Sequence, residues 1–157
     1  MSFGLVPRST LATTSGLDLL RGMMEGRYPA PPIARLIGFE LAEVDVGRVV
    51  FRGRPALEHY NPIGSVHGGY AATLLDSCMG CAVHSGLDAG IGYTTLEFKV
   101  NFVRAMTVDS GVVLAEGKVI HGGRQAAVAE GRLTDEVGRL LAHATTTCLV
   151  FPLGTGG

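Results

Sequence analysis

Charge of either sign is scarce in this chain of 157 residues, and so is any imbalance: 13 Lys and Arg stand against 14 Asp and Glu, a formal net charge of −1. A near-neutral chain has no long-range pull on nucleic acid or an anionic membrane, so neither is expected as a partner. Cysteine is sparse too. Cys78, Cys81 and Cys148 are odd in number and not densely spaced, which argues against a disulfide scaffold and for a reducing compartment, the cytoplasm. No continuous apolar segment opens the chain, so neither a signal peptide nor a spanning helix is expected. Repeats, linkers and low-complexity segments are missing apart from the last few residues, and the length suits one domain.

Apolar residues are plentiful, at 46% of the chain against 17% charged. That is greasy for a monomer's surface and points to a buried subunit interface. Residues 1–14 read as a polar, loose arm. Residues 15–152 read as one domain, and 153–157 as a flexible tail. Ser15 can cap a short helix whose apolar face is Leu17, Leu20, Met23 and Met24, ended by Gly26 and the prolines that follow. Around Gly47 the pattern alternates, with Phe39, Leu41, Val44 and Val46 before it and Val49 and Phe51 after, as in two antiparallel strands joined at Asp45–Gly47. A loop over 56–67 precedes a long helix from about Gly68 to Ser85. Four further strands follow as a meander. One helix cannot cover both faces of six strands. The expected fold is therefore α+β: a six-stranded antiparallel sheet wrapped around one long, almost wholly apolar central helix, plus the short N-terminal helix.

Within that apolar helix sits Asp76, in "YAATLLDSCMG". A carboxylate buried without a partner costs several kcal/mol or takes up a proton, so its place needs a reason. The helix N-terminus supplies one. Gly68 and Gly69 have no side chains, and a ligand oxygen can reach the unpaired amides there, the physical basis of an oxyanion hole. His67 and Asn61 just before them can orient the loop or touch a carbonyl. Asp76 can act as general base or as nucleophile. Asp76 lies eight residues past Gly68, roughly 12 Å along one helix. One copy of the helix cannot bring both to one carbonyl, whereas two antiparallel copies in a two-fold dimer can.

Asn61, His67-Gly68-Gly69 and Asp76, on a long helix after two strands and before four, resemble the hotdog-fold acyl-CoA thioesterases of the PaaI-like family. The resemblance covers roughly residues 35–150, including "NFVRA" at 101–105 and the strand pair from Val119 to Thr147. It implies a hotdog fold and hydrolysis of an acyl-CoA or aryl-acyl-CoA to free acid and CoA. It implies no cofactor, coenzyme A being part of the substrate. It implies a homodimer with shared sites, and a homotetramer of such dimers. Carried over, Asp76 is base or nucleophile and Gly68 N–H the oxyanion donor. Asn61 and His67 position the substrate, and Thr95 is the hydroxyl that positions water. Strand parity sets Thr94, not Thr95, on the face of Leu96 and Phe98 unless a bulge intervenes. Gly69, Arg104, Arg124, Tyr60 and Met79 are the candidate substrate-binding residues, the arginines for the phosphates of CoA. Small residues at Ala72 and Gly80, one turn to either side of Asp76, leave room for a ligand.

Other signals are weaker. Cys78-Met79-Gly80-Cys81 with His84 is reminiscent of a redox or metal motif, but both cysteines lie mid-helix and no fourth ligand is evident, so packing is the reading and no metal is expected. A hotdog dehydratase or hydratase would carry a catalytic histidine in a loop motif that is not found here. A non-catalytic acyl-CoA binder would have no need of Asp76.

Overall fold

The computed structural model describes residues 2–154. Three short helices come first: α1 (Arg8–Thr13), α2 (Gly16–Met24) and α3 (Pro32–Ile37). Ser15 caps α2 as its sequence position suggests, its hydroxyl accepting from Asp18 N at 3.2 Å. Leu19 and Leu20 are the buried side chains of that helix. The other two helices depart from expectation. The segment 1–14 is not all loose, since α1 occupies its second half and Phe3 bridges Ala30 in a parallel pair. The prolines after α2 do more than end it. Pro32 opens α3 with a preset φ, and Gly38 (φ 74°) closes it in the left-handed region.

The sheet is antiparallel, in the order β1-β2-β4-β5-β6-β3. Its strands are β1 (Phe39–Asp45), β2 (Arg48–Gly53), β3 (Ile91–Phe102), β4 (Val113–Gly122), β5 (Ala126–Asp135) and β6 (Leu140–Pro152). The β1–β2 turn lies at the expected place, with Gly47 at φ 75°. Val46 belongs to that turn and is exposed rather than inward. β3 ends the sheet, bonded to β6 on one side only among the described residues.

The long helix α4 (Gly68–His84) lies across β2, β4 and β5. Leu74, Leu75, Cys78 and Met79 are fully buried beneath it. Two strand glycines set its height. A Cβ at Gly117 of β4 would run into the Cys78 carbonyl, and one at Gly131 of β5 would stand 3.0 Å from Leu75 Cδ2 and Met79 Cγ. The helix is not apolar all round. Gly69, Ala72, Thr73, Asp76 and Ser77 recur at three- and four-residue spacing and stay wholly or partly exposed, one stripe that the chain's own sheet leaves uncovered.

The contact at Gly117 gives a direct test. The obstacle to a methyl group there is helix backbone, which cannot rotate away. Gly117→Ala should cost about 3 kcal/mol, at the upper end of the overpacking range, read from urea unfolding. Ala at exposed Gly138 serves poorly as a control because its φ is 82°. Gly154, with open space around it, serves well.

Candidate active site

The helix start is built by its own preceding residue. His67 has extended backbone (φ −61°, ψ 138°), and its Nδ1 accepts from Gly69 N at 2.8 Å. Its carbonyl accepts from Tyr70 N at 3.0 Å. The Gly69 amide is thus satisfied within the turn. The Gly68 N–H has no acceptor among the described residues. The two glycines therefore differ: Gly68 offers a free donor at the positive end of the helix, and Gly69 is bare to make room for the His67 ring.

The loop ahead is held by its own side chains. Asn61 Oδ1 accepts from Ile63 N at 3.0 Å, and its Nδ2 donates to Ser65 Oγ at 3.1 Å. Asn61 thus shapes the turn that presents His67. The Tyr60 hydroxyl accepts from Val108 N at 2.9 Å, and Val66 N donates to the Met106 carbonyl at 2.9 Å. Both tie this loop to the segment after β3. Between them opens a surface cleft of about 440 Å³ lined by Gly68, Phe102, Arg104 and Met106. Phe102, 56% exposed, lies against Gly68, whose Cβ would sit 3.0 Å from its ring.

Asp76 is half-buried on the uncovered stripe of α4. Thr95 Oγ1 donates to its Oδ1 at 2.8 Å. The bulge that strand parity required is present between Thr95 and Glu97. It turns Leu96 outward (59% exposed) and lets Tyr93 and Thr95 face the helix before it, and Phe98 and Val100 after it. The hydrogen bond holds the carboxylate by one oxygen and leaves the other free to take a proton or attack.

Not every candidate joins this group. Met79 is a core residue with no exposed surface, seated in the gap at Gly131, and cannot line a substrate path. Arg104 is exposed beside Gly68. Arg124 is exposed in the β4–β5 turn, near Ala126, which registers through Leu149 to Thr94. Phe102, at Gly68, lies eight residues further along β3, so Arg124 is roughly 25 Å from that amide in one chain. The space at Gly80 is filled as well: the Tyr93 ring occupies it, 2.8 Å from where a Cβ would stand. Cys81, half-buried beside Tyr93, has its thiol pushed up to about 12 by burial, and Cys78 is raised further still. Neither is a poised nucleophile at neutral pH.

Residues 63–142 match the family described as the Thioesterase superfamily. A 1,4-dihydroxy-2-naphthoyl-CoA hydrolase of Listeria monocytogenes is 26% identical over 114 residues, 73% of this chain and 91% of the relative. A hypothetical thioesterase of Streptococcus pneumoniae, solved with coenzyme A, is 29% identical with a TM-score of 0.66, covering 73% of this chain and 90% of that one. The PaaI protein of the Escherichia coli phenylacetic acid degradation operon, at 20% identity and a TM-score of 0.76 over 87% of this chain and 96% of its own, shares the fold.

His67 carries a structural load separable from chemistry. Replacing it by Ala removes the cap on the Gly69 amide and should cost about 1 kcal/mol in urea unfolding, whereas Asn, itself a good cap, should restore most of it.

Proposed function

The chain belongs to the Thioesterase superfamily, with its hotdog fold, and is a thioester hydrolase; from that premise we propose that its substrate is an acyl-CoA and that hydrolysis runs between Gly68 of one copy and Asp76 of another. CoA is named or bound in the hydrolase and the thioesterase just compared, which favours it as the thiol half of the substrate. The observation that carries the mechanism is the pair of unspent valences. The Gly68 N–H lacks an acceptor, and Asp76 keeps one carboxylate oxygen outside its bond to Thr95.

The thioester carbonyl lies on the Gly68 amide, where the helix dipole stabilises the negative charge that develops on oxygen. Asp76 either removes a proton from water or attacks the carbonyl itself, and Thr95 orients it. Asn61 and His67 act by holding the turn. Arg104 meets a phosphate of CoA near Gly68. Arg124 does so only from another copy, given its distance along the sheet.

Sharing between copies follows from length. Gly68 and Asp76 are fixed on one rod roughly 12 Å apart, too far to serve one carbonyl. The uncovered stripe of α4, the one-sided β3 and Phe102, exposed beside Gly68, are what a second copy would cover. Such dimers pair into tetramers in this reading. None of the described helices is long and apolar enough to cross a membrane, and with three unpaired cysteines the reading is a cytoplasmic enzyme.

Release of free thiol from a panel of acyl- and aryl-CoAs tests the activity. Asp76→Ala should lose about 10²–10⁴-fold in rate. A wild type inactive on every member, yet binding CoA esters, would instead make this a binding protein. Sharing has its own test. Gly68→Pro removes the amide donor while suiting the first helical position, since His67 already has the extended backbone that precedes proline. Each variant alone should be inactive. Co-expressed, random two-fold pairing should return about a quarter of wild-type activity, from one intact site in half the dimers. No recovery from two folded variants would mean that each chain works alone.

A further inference from the structure

A second cavity lies behind the candidate site, on the far side of Tyr93. It encloses about 210 Å³ between α2, α3, the β1–β2 hairpin and the C-terminal half of α4. Its distal wall is apolar, with Leu20, Met23, Leu41 and Phe51. Its near wall holds Cys81, His84 and Tyr93. Tyr93 belongs to both places. Its ring lies on Gly80, one turn beyond Asp76, and two residues further along the same strand face Thr95 bonds Asp76. His84 stacks obliquely on that ring at 5.3 Å and burial lowers its pKa, while Glu40, the carboxylate in the lining, is paired with Arg52 at 2.6 Å. The cavity therefore lies beyond the carboxylate, with the Tyr93 ring between the two.

We propose that this cavity is the pocket for the acyl group of the substrate, and that it selects a compact apolar acyl group, one six-membered ring or a chain of about six carbons. The inference rests on Asp76 being the hydrolytic centre. Size sets the class. A cavity of about 150 Å³ suffices for benzene, and at about 30 Å³ per water-sized group this one holds roughly seven. A long fatty chain does not fit without moving α2. Shape sets the polarity, because a charged or strongly polar tail would end among Leu20, Leu41 and Phe51, and Glu40 in that wall is already paired with Arg52. The N-terminal helices thus act as the specificity element: α2 is the lid of the pocket and Met23, half-buried on it, is the adjustable wall.

The test is a kcat/KM profile over acetyl-, butyryl-, hexanoyl-, decanoyl- and benzoyl-CoA for wild type, Met23→Trp and Met23→Ala, with thermal melts to show that each folds. Wild type should favour hexanoyl or benzoyl, gaining roughly four-fold per buried methylene over the shorter chains. Met23→Trp fills the cavity and should cut the hexanoyl-to-acetyl ratio at least about ten-fold. Met23→Ala enlarges it and should move the optimum toward decanoyl, which keeps the test alive should the tryptophan variant fail to fold. If wild type hydrolyses the panel but the profile is unchanged in the folded variants, the acyl group lies elsewhere and this inference alone falls. If wild type hydrolyses none of them, both this inference and the acyl-CoA reading fall.

Discussion

The seating of α4 on two glycines governs the rest of the molecule. Without side chains at Gly117 and Gly131, the helix backbone comes within van der Waals reach of β4, and Leu75 and Met79 drop into the gap on β5. A helix held that closely cannot rotate about its axis. The buried stripe is then Leu74, Leu75, Cys78 and Met79, and the opposite stripe, with Asp76, faces out. Asp76 avoids the desolvation cost of a core carboxylate because packing elsewhere on the helix orients it, and Thr95 satisfies one oxygen at 2.8 Å.

The same rigidity separates the two halves of the proposed chemistry. The donor amide at Gly68 exists because a helix begins there and His67 caps the next amide rather than this one. The carboxylate exists two turns later on the same rod. No loop motion or rotamer change in one chain closes a gap of roughly 12 Å between two points of one helix. In the proposed reading the active site forms by association, and the one-sided edge at β3 is the structural counterpart of that need.

Much of this was legible in the residues. The period-two runs around Gly47 and the apolar run after Gly68 marked β1, β2 and α4, because each is long and repeats its pattern. The uncovered stripe was not, since Ala72 and Ser77 are small enough to suit either face. Helix α3 was hidden because Pro31-Pro32 reads as a stop, although proline is equally at home in a first turn. Thr95 was legible only as a condition: parity demanded a bulge, and the register of β3 against β6 slips where one was needed. Met79, three residues from Asp76, is its neighbour on a bare helix but not in the fold. Its destination was decided by Gly131, and a glycine in a strand does not announce which side chain fills the space above it. The contact of Phe102 with Gly68 carried no signal, because it depends on where β3 ends relative to the helix start.

In the proposed reading, catalysis and selectivity occupy different parts of this chain. The groups at Gly68, Asp76 and Thr95 sit on the helix and strand that define the fold, where a displacement would also cost stability. The walls of the 210 Å³ cavity come largely from α2, α3 and the β1–β2 hairpin, with Cys81 and His84 of α4 and Tyr93 of β3 closing the near side. Side chains there can change volume without touching the helix seat or the carboxylate. Tyr93 is committed to both, packed on Gly80 on one side and bounding the cavity on the other. A substitution at Met23 alters only what fits, whereas one at Tyr93 alters what fits and also the helix face that presents Asp76. Two sites a few residues apart thus differ in how freely they can vary, and the difference follows from whether a side chain packs against α4 or against the helices laid over it.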